Sequence, residues 1–192
     1  MKKQFAKLLV LSIVPIVAIT FGCKKDQIVQ NKFTYDLKDY PIKTGNQTLY
    51  VPSGHSPKET YNFDLVLASS GITFDNTAND FKGKGDFVAL TMFSLDPETI
   101  APGLYTFDIF ASKDSLTFDE GVVGTDYDIV VDTASTIYDI KNGVMNVEKN
   151  GNIYTLDFDL YTKENKQVKG YYKGLLDLHT PPLVAKKKMY HR

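Results

Sequence analysis

Among its 192 residues the chain has no tryptophan, a single arginine (Arg192) and a single cysteine (Cys23). Each scarcity excludes something. A disulfide needs two cysteines, so stability has to come from packing. Without arginine there is no guanidinium fork for bidentate capture of phosphate or carboxylate. The remaining basic residues are lysines, with no basic stripe interleaved with aromatics, so nucleic acid is not an expected partner. The missing tryptophan removes the broadest flat face a protein can offer a sugar ring. Helical periodicity is also scarce. The uncharged N-terminal run, Leu8 to Phe21, is interrupted by Pro15 and falls short of the roughly 20 apolar residues a transmembrane helix needs.

What is present begins with a leader. Lys2, Lys3 and Lys7 precede that apolar run, and no acid lies among the first 22 residues. A positive start, a short apolar stretch and a small residue before a boundary are the marks of an export signal. The boundary reads Thr20-Phe21-Gly22-Cys23. It resembles the lipobox of bacterial lipoproteins at Gly22 and Cys23, and departs from it at Thr20 and Phe21. The resemblance implies cleavage before Cys23 and a lipid on that cysteine, with the membrane as a partner through it. The expected organisation is a leader over 1–22, a lipid-anchored tether over 23–32, a β-sandwich domain over 33–179 and a basic flexible tail over 180–192. Without the leader the net charge is −4, and 170 residues remain, enough to bury about 70% of the unfolded surface.

From Phe33 onward the dominant period is 2. Ile153 to Tyr161 alternates, with Tyr154, Leu156, Phe158 and Leu160 predicted to face the core. Leu104 to Phe110 and Tyr127 to Val131 alternate as well. Phe87 to Phe93 is nearly continuous, as in a strand covered on both faces. Asn150-Gly151 is a strong hairpin signal, and glycines separate the other runs. The expected class is all-β, an antiparallel β-sandwich, with a closed calycin-like β-barrel as the alternative. A short helical turn is expected around Asp96-Pro97-Glu98-Thr99. Tyr61 to Asp75 and Tyr105 to Asp119 align without gaps, and each reads as a hairpin.

Candidate chemistry is thin. An aromatic followed by aspartate recurs eight times, as at Phe63-Asp64 and Phe158-Asp159. It reads as a ring in the core and a solubilising carboxylate in water. The acids Asp119, Glu120, Asp126 and Asp128, with Asp132 beyond, are the best candidates for calcium, which takes six to eight oxygens. Their spacing is not that of an EF-hand, and no other cofactor is implied. Tyr161, Tyr171 and Tyr172 are candidates for stacking on a glycan. His55, His179 and His191 are isolated, and there is no nucleophile elbow or zinc motif. A pair of carboxylates for hydrolysis finds no distinguishing pattern.

Ile137 to Leu178, with its Asn-Gly hairpin, Tyr-x-Leu-x-Phe strand and Lys-Gly-Tyr-Tyr-Lys-Gly segment, resembles the closing strands of small, largely uncharacterised Bacteroidota envelope lipoproteins. That resemblance implies an all-β domain at the outer membrane, on its periplasmic face or at the cell surface. The functional expectation is a non-catalytic binding or structural module whose partner is a glycan or an envelope protein. The alternative is an envelope hydrolase with a carboxylate site.

Overall fold

The computed structural model describes residues 30–50, 60–131 and 137–180. Cys23, His55, Asp132, His191 and most of the expected tail lie outside them. The described residues are all-β and contain no helix. Twelve strands follow one another: β1 (Lys32–Tyr35), β2 (Lys38–Pro41), β3 (Thr44–Tyr50), β4 (Tyr61–Ala68), β5 (Ile72–Asp75), β6 (Asp80–Ser94), β7 (Gly103–Phe107), β8 (Thr117–Asp128), β9 (Ile137–Asn150), β10 (Ile153–Thr162), β11 (Gln167–Gly174) and β12 (Asp177–His179).

Hydrogen bonding runs along one path, β12-β3-β4-β6-β8-β7-β9-β10-β11-β1-β2, with β5 attached to β6. Two short links force this sheet to curl. β2 ends the path on one side and β3 lies next to its other end, yet only Ile42 and Lys43 join them. Three Cα steps span at most about 11 Å. Leu175 and Leu176 join β11 to β12 in the same way. The result is a strongly curled, mixed sheet forming a half-barrel. Across the seam, a Cβ on Gly45 would meet Leu176 at 2.5 Å and Tyr172 at 2.9 Å, so glycine permits this approach.

The main core fills the concave side, with Phe33, Phe63, Leu90, Tyr105, Phe118 and Phe158 buried there. Tyr154, Leu156, Phe158 and Leu160 are all buried, on the face the alternation predicts. Behind β4, β6 and β8 lies a second layer, in which Val66, Phe87, Ala89 and Val122 are covered by Ile72 and Phe81. The continuous apolar run of β6 follows from this double cover.

Several local expectations are corrected. Two pairings are parallel, β7 with β8 and β12 with β3. Neither aligned segment is a hairpin, because β4 and β5 both pair with β6, and β7 runs parallel to β8. The β9–β10 loop is Gly151-Asn152, one residue later than the Asn-Gly signal, since Asn150 pairs with Ile153. Positive φ falls only on Gly151 of those two, the pattern of a type II′ turn. No helix forms at 96–99. Asp96 Oδ1 accepts the Glu98 N–H at 2.8 Å, and Ser94 Oγ accepts the Asp96 and Ala101 N–H groups. The Asp96 bond is one a helix cap would also make, but the Ala101 N–H, which a helix would give to the Pro97 carbonyl, is taken by Ser94. The loop instead plugs the barrel end, with Thr99 Oγ1 and Ile100 N–H donating to buried Gln47 Oε1 at 3.1 and 3.0 Å.

Candidate functional site

The site arises where the sheet forks. β8 and β9 pair from Val122–Asp139 to Gly124–Ile137 and then part. β7 enters between them, pairing with β8 at Thr106–Thr117 and Phe107–Phe118 and with β9 at Thr106–Val144. The gap is a cleft of about 420 Å³ on the outer side of the sheet. Ala89, Phe107, Ile109, Val122 and Ile140 give it apolar walls, and Asp119, Glu120, Asp139, Lys141 and Lys163 give it charge.

The charged groups are positioned by irregularities in the strands. Thr91 pairs with Glu120 and Met92 with Phe118, so Asp119 is the extra residue of a β-bulge. Bulges re-aim side chains in this way. Thr91, also on the cleft wall, donates from Oγ1 to Asp64 Oδ1 at 2.8 Å. On the far side a second register shift at Tyr161/Thr162 brings Lys163 against Asp139. Their side chains pair at 2.7 Å, and the Lys163 N–H donates to the Asp139 carbonyl at 2.9 Å. The Asp139 carboxylate holds the Lys163 ammonium above its ordinary pKa. Lys141 Nζ donates to Asn165 Oδ1 at 2.6 Å.

The structure sorts the residues singled out by sequence. Asp119 and Glu120 enter the cleft. Asp126 and Asp128 sit six and more residues along the same strand, about 20 Å away at strand rise. There Asp126 pairs with Lys84 at 3.1 Å, and Asp128 Oδ1 accepts the Val130 and Val131 N–H groups. The four acids therefore do not converge, and among the described residues no group of three or more His, Cys, Asp or Glu is placed to hold a metal ion. Tyr172 is corrected out of the glycan-stacking set: it is 4% exposed, its ring packs in the core, and its hydroxyl donates to the Leu175 carbonyl. Tyr161 and Tyr171 do share the outer face, but their rows lie four residues apart on β10, about 13 Å. His179 stacks on Phe74, with ring centroids 3.7 Å apart, and its pKa is lowered by burial.

The mouth of the cleft was not legible as a site in the sequence. The alternation of Leu104 to Phe110 reads as strand to its end, yet β7 stops at Phe107. Asp108 stops it. Its carboxylate accepts the Phe110 N–H at 2.9 Å, the Ser112 N–H at 2.6 Å and the Ser112 hydroxyl, and these bonds hold its pKa below the usual carboxylate range. Ala111, Lys113 and Leu116 all take positive φ. The loop is fastened further by Thr60 Oγ1 to the Lys113 carbonyl and by Leu116 N–H to the Phe93 carbonyl. It leaves Ile109 76% and Phe110 88% exposed beside the cleft.

Fold and site together define an all-β half-barrel with a mixed-charge cleft at the fork of its sheet. No protein-family model matches the chain, and no curated protein or solved structure is significantly similar to it.

Proposed function

We propose that the chain is a lipid-anchored lipoprotein of the bacterial outer membrane, on its periplasmic face or at the cell surface, whose half-barrel is a non-catalytic binding module. The anchor rests on the charged and apolar leader and on the solitary Cys23 at its end. The module rests on one observation, a cleft with an apolar wall and charges of both signs. Such clefts orient a ligand through a few polar groups while burying its apolar parts.

The second reading, an envelope hydrolase, has in its favour that Asp119, Glu120 and Asp139 line one cleft. It is disfavoured by the pairing of Lys163 with Asp139 at 2.7 Å, which ties that carboxylate to the cleft wall instead of presenting it to a substrate.

The anchor is tested by Cys23→Ala in the native host. The unaltered protein is expected in the membrane fraction, with an acyl mass on its N-terminal peptide, and the variant in the soluble fraction. Equal membrane retention of a processed Cys23→Ala chain overturns the anchor.

A further inference from the structure

We propose that the fork cleft takes a neutral, hydroxyl-bearing ring, the chemistry of an uncharged sugar residue. This rests on the binding-module reading and names its ligand class. The state of the ionisable groups in the cleft carries it, and the apolar wall narrows it.

Each of those groups is already engaged within the protein. Lys163 pairs with Asp139 at 2.7 Å, Lys141 donates to Asn165 at 2.6 Å, and Asp119 and Glu120 have partners of their own. A charged ligand therefore finds no vacant counter-ion. A ligand carboxylate meets three acids against two lysines, and a ligand ammonium has to displace a partner that is already in place. Taking an ion out of water without such a partner is costly.

Engaged groups are not saturated ones. An ionised carboxylate has about four acceptor positions and an ammonium has three donors. A group in an ion pair or a single hydrogen bond still serves water. A wholly apolar ligand would strip that water and replace none of its bonds. A hydroxyl both donates and accepts, so it replaces them without adding charge. Of the charged, apolar and neutral hydroxylated classes, the last alone meets both conditions.

The wall selects within that class. Ala89, Ile109, Val122 and Ile140 line the cleft beside Phe107, whose ring stands edge-to-face with Phe118, centroids 5.6 Å apart and planes at 74°. Phe107 supplies the aromatic surface that tryptophan, absent from the chain, does not. A pyranose turns C–H groups to such a wall and hydroxyls to the polar side, whereas an open-chain polyol has no flat apolar face. The volume of about 420 Å³ is that of a small-molecule site.

The experiment uses the full-length protein in a detergent without a sugar headgroup, followed by amide chemical shifts. The neutral probes are the methyl pyranosides of glucose, galactose, mannose and N-acetylglucosamine. Methyl glucuronide and methyl glucosaminide carry the negative and the positive charge on the same ring, and cyclohexanol is the apolar ring. At least one neutral pyranoside is expected to move the resonances of Ile109, Gly121 and Lys141, and to bind at least ten-fold more tightly than either charged analogue or cyclohexanol. Ile109→Ser, at a largely exposed position on the cleft wall, and Lys141→Met, which keeps the stem and removes the donors, are each expected to weaken it at least three-fold with unchanged Tm. A charged analogue or cyclohexanol bound in the cleft as tightly as the best neutral pyranoside overturns the ligand class and leaves the binding module standing. Cleft resonances unmoved by every probe overturn the ligand class and the module together. Release of methanol from a bound pyranoside instead overturns the non-catalytic reading on which the inference rests.

Discussion

The two halves of the sheet solve the same packing problem at different depths. In β4, β6 and β8 both faces are covered: Leu65 and Leu90 point into the barrel, while Val66 and Ala89 lie under the β5–β6 hairpin. In β10 and β11 only the concave face is covered, and the outer face carries Asp157, Asp159, Lys169 and Lys173. Yet both halves use the same cross-strand device. Phe87 sits opposite Gly124 in the outer layer, and Phe158 sits opposite Gly170 in the barrel core. In each pair a Cβ on the glycine would collide with the facing ring. The outer layer thus holds a ring-on-glycine contact as close as the one in the barrel interior, and the fork cleft opens directly beside it, with Ala89 and Val122 belonging to both.

The sharpest way to break this equivalence is to remove the rings. Phe87→Ala and Phe158→Ala are each expected to cost about 3–5 kcal/mol, the usual range for a buried phenylalanine, measured by urea unfolding. If Phe87→Ala costs less than half as much as Phe158→Ala, the outer layer is a loose cover and the equivalence fails. A smaller effect comes from filling the glycines. Gly124→Ala and Gly170→Ala force the ring opposite to shift, at about 1–3 kcal/mol each. Neither glycine has positive φ, so the penalty is steric. Combining each with the alanine substitution of its own ring should recover most of that cost. A double variant no better than the sum of its parts would show that the two residues do not press on each other.

Much of this contrast was readable from the residues. Alternation in Ile153 to Tyr161 specified the core face of β10, and the unbroken run from Phe87 announced a strand covered twice. What could not be read was which strands pair. The aligned segments from Tyr61 and Tyr105 look like hairpins because local pattern reports burial, whereas pairing is decided by the strands that come to lie alongside, as β6 does for both β4 and β5. The aspartates after aromatics were similarly ambiguous. Asp157 and Asp159 lie on the outer sheet face, but Asp75, Asp108 and Asp128 accept N–H groups two to four residues onward and end their strands. A side chain that competes for the backbone stops a strand without changing the apparent alternation. That is why Ile109 and Phe110 read as strand and why the mouth of the cleft went unseen, although Asp119 and Glu120 within it did stand out.

Asp75 allows the subtlest test of the two halves, because it fastens the hairpin that makes the doubly covered half different. Its carboxylate accepts Lys82 Nζ at 2.7 Å and the Thr77 and Ala78 N–H groups at 2.8 and 3.2 Å, which lower its pKa to about 2. The folded value lies below the roughly 3.9 of an unfolded aspartate. Its stabilisation is therefore fully present above pH 4 and fades as the pH falls toward 2. The expected consequence is local. On acidification from pH 5 to pH 2, exchange protection of the Lys84 amide, which donates to Gly71 across the hairpin, should fall relative to that of Leu156 and Phe158 in β10. Asp75→Asn should lower Lys84 protection at pH 5 and flatten its dependence on pH over this window, leaving the β10 amides as they were. Should Lys84 in the variant keep the same acid profile as in the unaltered protein, the hairpin is held by its apolar contacts with Phe81 and Phe87 alone, and the cover of the outer layer owes nothing to this carboxylate.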